Sequence, residues 1–171
     1  MTFVSHSEAG TEALGRRLGE LAFPGMVLCL SGPLGAGKTA LVRGLAGGLG
    51  IDEERVHSPT FVTAIEYRGR WSLAHVDLYR HEETLPPPDW LAEMLEGDGV
   101  AAVEWSERLG ADAPADAIQI DLAYGEAPNE RRFELSATGS RSARALAALE
   151  GPGSDTAQPG PRLVQEGVCA R

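Results

Sequence analysis

The feature that most constrains this chain is a glycine-rich segment, Gly-Pro-Leu-Gly-Ala-Gly-Lys-Thr at residues 32–39. It matches the Walker A pattern of a glycine, four residues and then Gly-Lys-Thr. An apolar run at 26–31 precedes it and is typical of a buried strand. Behind it, apolar residues recur at helical spacing: Leu41, Val42, Leu45 and Leu49. The order strand, glycine-rich loop and helix predicts a loop whose backbone N–H groups bind phosphate.

Lys38 is the only lysine of the chain, since fourteen of its 15 basic residues are arginines. A lysine kept in such a chain indicates a site that needs a compact ammonium rather than a planar guanidinium. In a Walker A loop this ammonium reaches the β- and γ-phosphates, and the hydroxyl of the next residue, here Thr39, can hold Mg²⁺. The sequence therefore predicts a nucleotide site with a magnesium ion.

Hydrolysis also requires acidic groups that complete the metal shell and orient the attacking water. Glu104 follows the apolar run 100–103, and Asp77 ends another strand-like run. Each residue alone could be an ordinary acid at the start of a loop, but the phosphate loop favours a catalytic pair. We expect Glu104 to act on the metal or the water and Asp77 to support it, although the sequence does not assign the two roles.

Three neighbouring motifs have less specific interpretations. Ser-Pro-Thr at 58–60 is either a switch that senses the γ-phosphate or a simple turn before a strand. We expect His57 and His75 to be structural or exposed to solvent. Trp105 is expected to pack in the core by default, or else to lie near the nucleotide.

The remaining pattern predicts an α/β fold, a P-loop NTPase-like three-layer sandwich with a mixed, partly antiparallel central sheet. Ser5 and Glu8 fit a capping box that opens a helix over 5–22. Gly44 and its neighbouring glycines should weaken the helix after the phosphate loop and end it early. Further elements are expected as follows: a hairpin over 61–67 and 71–77, a helix at 89–96, a strand at 100–103 and a second hairpin over 117–123 and 131–138.

Length and charge limit the function classes. A chain of 171 residues predicts one domain, placed at 1–139, with a possible helix at 140–150 and a flexible tail at 151–171, where seven of 21 residues are Gly or Pro. The net charge of -10 disfavours direct binding to nucleic acid or anionic membranes. Cys29 and Cys169 have no metal-site spacing, and we expect a cytoplasmic protein without a leader or membrane anchor.

Four motifs together resemble the bacterial TsaE family. They are the Walker A segment at 32–39, Ser-Pro-Thr-Phe at 58–61, His-Val-Asp-Leu-Tyr-Arg at 75–80 and Glu-Trp at 104–105. The resemblance covers roughly residues 5–138. It implies a small ATPase that binds ATP or ADP with Mg²⁺ and is needed to make threonylcarbamoyladenosine in tRNA. It also implies hydrolysis when the protein docks on the TsaB–TsaD heterodimer, which would engage the tRNA.

The resemblance also implies roles for individual residues. The nucleotide would contact the P-loop positions Gly35, Ala36, Gly37, Lys38, Thr39 and Ala40. Thr39 and Glu104 would hold Mg²⁺, and the catalytic residues would be Glu104, Asp77 and Lys38. Glu8 and Thr11 on the first helix would flank the adenine. An arginine of the last strand, either Arg131 or Arg132, would approach the nucleotide. The chain departs from the family at Pro86-Pro87-Pro88, which concerns the local partner surface, and in the extended segment after Gly139.

Two alternative functions compete with an ATPase. A small P-loop kinase would need an acceptor pocket and usually an arginine-bearing lid, whereas the segment after Arg80 is acidic and rich in proline. A nucleotide-binding adaptor would change conformation without significant turnover. A guanine-specific switch is disfavoured because the chain has no Asn-Lys-x-Asp motif.

Overall fold

The computed structural model describes residues 1–81 and 89–150. Within these ranges the strands are β1 (Thr2–Ser5), β2 (Val27–Ser31), β3 (Ala64–Tyr67), β4 (Leu73–Asp77), β5 (Val100–Glu104), β6 (Ile118–Tyr124) and β7 (Arg131–Ala137). The α-helices are α1 (Glu8–Glu20), α2 (Lys38–Gly48), α3 (Asp89–Glu96) and α4 (Ser140–Leu149). Two 3₁₀ segments complete the order, at Glu53–Arg55 and Ser106–Asp112.

The strands form one sheet in the order β1-β7-β6-β2-β5-β4-β3. The four central strands, β6, β2, β5 and β4, run parallel, while β3, β7 and β1 pair antiparallel at the two edges. The predicted mixed sheet is confirmed. Because parallel strands point their carboxyl ends to the same edge, the loops after β2, β4 and β5 meet there.

Helices cover both faces of the sheet, which confirms the three-layer prediction. One apolar cluster joins α1, α2 and α4 to one face through residues such as Leu14, Leu45 and Leu146. A second cluster packs Leu91 of α3 and Leu109 against the opposite face. Strands β2 and β5 are apolar on both sides because both of their faces are buried, whereas β6 alternates buried with more exposed residues.

Helices α1 and α2 pack with their backbones almost in contact. A Cβ atom on Gly44 would lie 1.9 Å from the carbonyl oxygen of Glu12, and one on Gly15 would lie 2.1 Å from the carbonyl oxygen of Leu41. The expectation that glycines end α2 early is wrong, since the helix continues to Gly48. The glycines cost helix propensity, but they allow the close approach of α1.

The N-terminal segment differs from the sequence-based expectation. Residues 2–5 form an edge strand that pairs with β7, so Ser5 belongs to β1 and does not cap α1. The N-cap is Ser7, whose side chain accepts a hydrogen bond from the backbone N–H of Gly10. The Ser5 hydroxyl instead donates to the carbonyl oxygen of Ser7, 2.6 Å away.

The first hairpin is also shorter than expected. Its strands are β3 and β4, and the segment from Phe61 to Thr63 lies before β3 as a turn. Phe61 is 84% exposed and Thr63 has a φ of 68°, which is incompatible with a strand.

Two sequence-based expectations fall on undescribed parts of the chain. Pro86-Pro87-Pro88 and the tail at 151–171 both lie outside the described residues. Among the residues that are described, no helix has the length and apolar character needed to span a membrane.

Candidate functional site

A cavity of about 520 Å³ opens where the loops after β2, β4 and β5 meet. This size is ordinary for a small-molecule site. Its walls come from the glycine-rich loop, the N-terminal ends of α1 and α2, the Ser58–Thr60 loop and the β6–β7 hairpin. The lining residues are Ser7, Glu8, Thr11, Leu34, Gly35, Gly37, Lys38, Thr39, Ala40, Arg43, Ser58, Thr60, Asp77, Tyr79, Glu104, Trp105, Asn129 and Arg131.

The loop at 32–37 takes a shape that requires glycine. Gly35 and Gly37 have φ angles of 78° and 102°, in the left-handed region that favours glycine. Gly32, with a φ of 133°, approaches β6 so closely that a Cβ atom would lie 2.3 Å from the carbonyl oxygen of Leu122. Gly37 is the N-cap of α2, so the N–H groups of the first turn face this end of the cavity.

Lys38 folds back onto the loop that precedes it. Its Nζ atom donates to the carbonyl oxygens of Gly32, at 2.6 Å, and Pro33, at 2.9 Å. Burial lowers the pKa of the Lys38 ammonium from its ordinary value of 10.5, while the nearby negative charges of Glu104, Glu107 and Asp77 oppose that change. The ammonium therefore lies near three acids but forms no ion pair within the described structure. An anionic phosphate bound beside it would favour its charged form.

Glu104 lies at the end of β5 and is only 3% exposed. Its Oε1 atom accepts a hydrogen bond from the hydroxyl of Thr39 at 2.8 Å and lies 2.8 Å from Nε2 of His75. Glu104 also stands opposite Asp77 in the register of β5 and β4. A hydroxyl and a carboxylate beside a phosphate-binding loop are the hard oxygen donors that Mg²⁺ takes from proteins, with nucleotide phosphates supplying other ligands. Thr39 and Glu104 therefore fit a magnesium ion.

The carboxylate of Asp77 is held by three donors. The hydroxyls of Thr60 and Ser58 donate to Oδ2, the latter at 3.3 Å, and the backbone N–H of Tyr79 donates to Oδ1 at 2.8 Å. Asp77 is 3% exposed. The Ser-Pro-Thr motif is thus in direct contact with one of the two acids.

The opposite wall carries Glu8 and Thr11 of α1 and Arg131 of β7. The guanidinium of Arg131 lies 5.0 Å from the centroid of the Tyr124 ring and donates to the carbonyl oxygens of Pro128 and Glu130. Arg132 is not a lining residue. It points to the exposed Glu134, at 3.0 Å, so of these two candidates Arg131 is the one that lies at the cavity.

The structure brings nearly all of the expected residues together. Ala36 is the exception, because its methyl group is buried in the core and its N–H donates to the carbonyl oxygen of Pro33 at 3.2 Å. Trp105 packs against the second apolar cluster, as expected, and also lines the cavity, with a φ of 60° and its ring centroid 4.0 Å from Nζ of Lys38.

Sequence reasoning missed several residues at or behind the cavity: Ser7, Arg43, Tyr79, Asn129 and, in contact with Glu104, His75. For His75 a signal was present, since it is a polar residue inside the otherwise apolar run 73–76 of β4. Tyr79 lies within the motif at 75–80, whereas Ser7, Arg43 and Asn129 carry no pattern that distinguishes them from surface residues.

Comparison with known proteins gives consistent results. The family model described as "Threonylcarbamoyl adenosine biosynthesis protein TsaE" matches residues 5–133. The tRNA threonylcarbamoyladenosine biosynthesis protein TsaE of Treponema pallidum is 42% identical over 123 residues, which are 71% of this chain and 90% of that protein. The TsaE protein of Bacillus subtilis is 39% identical over 132 residues, which are 77% of this chain and 82% of that protein. The crystal structure of YdiB from B. subtilis superposes with a TM-score of 0.73 at 31% identity, covering 87% of this chain and 93% of that one.

Proposed function

The chain belongs to the TsaE family of threonylcarbamoyl adenosine biosynthesis proteins, and we propose that it serves tRNA threonylcarbamoyladenosine synthesis as a Mg²⁺-dependent ATPase. ATP would be hydrolysed to ADP and phosphate when the protein is docked on the TsaB–TsaD heterodimer, and turnover would reset that complex. The observation that carries the proposal is the meeting of Thr39 with Glu104, 2.8 Å apart, at the end of a Walker A loop.

Binding of the phosphates is assigned to the loop and the first turn of α2. The N–H groups that follow Gly35 and Gly37 and the ammonium of Lys38 supply positive charge where the β- and γ-phosphates would lie. Lys38 must then leave the carbonyl oxygens of Gly32 and Pro33. The base would lie toward the wall formed by Glu8, Thr11 and Arg131.

We assign different roles to the two acids, Glu104 and Asp77. Glu104, in contact with Thr39, would hold the magnesium ion, which when bound neutralises charge that develops on the phosphates. Asp77, held at both carboxylate oxygens, would orient the attacking water or accept its proton. The hydroxyls of Ser58 and Thr60 would keep this carboxylate in place and connect it to a loop that can respond to the γ-phosphate.

The acidic surface is consistent with action through protein partners. With a net charge of -10, the chain lacks the basic character expected of a protein that grips tRNA by itself. We therefore assign tRNA binding to the partner complex.

Phosphate release from ATP tests the proposal. It should be measured for the purified protein alone and with TsaB–TsaD, for the wild type, Glu104→Ala and the control Glu93→Ala, whose carboxylate is exposed on α3. We expect stimulation by the partners in the wild type and the control, and a loss of about 100-fold or more in Glu104→Ala with nucleotide binding in EDTA largely retained. Nucleotide binding without stimulated release in the wild type would instead indicate an adaptor, and phosphate transfer to a small acceptor would indicate a kinase.

A further inference from the structure

His75 is a fully buried polar residue in the middle of β4, at 0% exposure. Its neighbours in the strand, Ala74 and Val76, are apolar and buried. The Nδ1 atom of His75 is buried without a hydrogen-bond partner in the described part of the structure. Burial of an imidazole with an unpaired nitrogen costs free energy that an apolar side chain would not cost. The position therefore needs an explanation other than packing.

The second ring nitrogen, Nε2, explains why a histidine occupies this position. Nε2 of His75 lies 2.8 Å from Oε1 of Glu104, in a pair that is almost completely buried. A carboxylate can only accept, so Nε2 carries the hydrogen and donates it to Oε1. The same Oε1 atom accepts from the hydroxyl of Thr39. His75 thus fixes one oxygen of Glu104 from the sheet side, while Thr39 contacts it from α2.

Strand register makes this contact possible. His75 stands opposite Ala102 on β5, and Asp77 stands opposite Glu104. Side chains two residues apart share a face of a strand, so the imidazole and both acids lie on the same face. The methyl group of Ala102 leaves space in which the imidazole can lean along the sheet to Glu104.

We propose that His75 is a positioning residue for the magnesium site, holding the Glu104 carboxylate in the orientation in which it meets Thr39. This inference rests on the proposed function, because it concerns the same site. His75 does not itself reach the cavity. It acts through Glu104, as hydrogen-bonded partners of metal-binding carboxylates do.

The test compares substitutions that differ in where they place a donor. The amide nitrogen of His75→Gln can reach the position of Nε2, whereas that of His75→Asn resembles Nδ1 and His75→Leu has no donor. Val76→Ala is the matched control, since it removes buried volume from the same strand on the opposite face. The readout is the ratio of ADP affinities in Mg²⁺ and in EDTA, measured by calorimetry alongside the rate of phosphate release.

We expect His75→Leu and His75→Asn to lower the Mg²⁺-to-EDTA affinity ratio and the rate by about 10-fold, with affinity in EDTA changed by no more than about twofold. His75→Gln and Val76→Ala should keep the wild-type ratio. In a Glu104→Ala background, His75→Leu should have no further effect on the ratio. If His75→Leu does not fold, the comparison of His75→Gln with His75→Asn tests the proposal.

The positioning role would be overturned if His75→Asn kept the wild-type Mg²⁺-to-EDTA affinity ratio, or if His75→Gln lowered that ratio as much as His75→Asn does. Either result would leave the ATPase proposal intact. A further loss in the Glu104→Ala background would also overturn it. If the wild type itself binds ADP equally well with and without Mg²⁺, the metal assignment of the proposed function fails as well, and the two failures are therefore distinguishable.

Discussion

The ammonium group of Lys38 lies 4.0 Å from the centroid of the Trp105 ring. This contact is a cation–π interaction, formed while the same ammonium donates to the carbonyl oxygens of its own loop. In the proposed binding mode the ammonium turns toward the phosphates and leaves the indole, so the fluorescence of Trp105 should report nucleotide binding.

We therefore expect the fluorescence of Trp105 to change when ADP binds. The measurement uses a Trp71→Phe, Trp90→Phe background, in which Trp105 is the only tryptophan. Lys38→Met in that background serves as the control and should remove most of the change. A signal of the same size without the ammonium would show that the indole responds to the nucleotide directly.

Thr60→Val should slow stimulated hydrolysis by about 10-fold, because it removes a hydroxyl that donates to Oδ2 of Asp77. ADP affinity should stay within about twofold of the wild-type value, since Asp77 is assigned to the water and not to nucleotide binding. Thr60→Ser keeps the hydroxyl and should keep most of the rate. Equal rates for Thr60→Val and Thr60→Ser would mean that Asp77 does not need this hydrogen bond.

Gly44→Ala should lower the free energy of unfolding by about 2–3 kcal/mol, because its Cβ atom meets the backbone of α1 at Glu12. Gly47→Ala is the matched control on the same helix. There the new Cβ atom meets the carboxylate end of Glu53, which can move away, and the helix gains up to about 1 kcal/mol of propensity. Urea unfolding of both variants checks the prediction, and equal stabilities would contradict close backbone packing.

Cys29 gives the stability of the protein a specific dependence on pH. Burial raises the pKa of the Cys29 thiol from 9.0 to about 11. Because the folded state keeps the proton that the unfolded state loses, this contribution is fully present below pH 9 and is lost as the pH rises toward 11.

At pH 10.5 the loss should be about 2 kcal/mol relative to pH 8. The measurement is urea unfolding in a Cys169→Ser background, with and without Cys29→Ala. The stability difference between these two variants should shift in favour of Cys29→Ala as the pH rises. A difference that is independent of pH would show that the thiol is not protected by burial.

The sequence predicted the central architecture because its signals are local. The Walker A pattern specifies strand, loop and helix together, and the apolar runs at β2 and β5 identify strands buried on both faces. The two acids were found because each ends such a run. These signals need no knowledge of which strands are neighbours.

What the sequence could not show depends on pairing and register. Strand β1 has only four residues, of which two are exposed, and it forms because it pairs with the edge of β7. The contact of His75 with Glu104 joins residues 29 positions apart and exists only because β4 lies beside β5 in this register. Trp105 reaches the cavity through a left-handed backbone angle that nothing in a single sequence indicates.

The close packing of α1 and α2 has a mechanical consequence for the cavity. Helix α1 carries Thr11 to one wall, and α2 carries Lys38 and Thr39 to the floor. At the glycine contacts backbone lies against backbone, and Leu14, Leu41 and Leu45 of the same two helices belong to one buried cluster, so the pair forms one tightly packed unit. We therefore expect any closure around a ligand to come from the other side of the cleft, where the hydroxyls of Ser58 and Thr60 donate to Asp77.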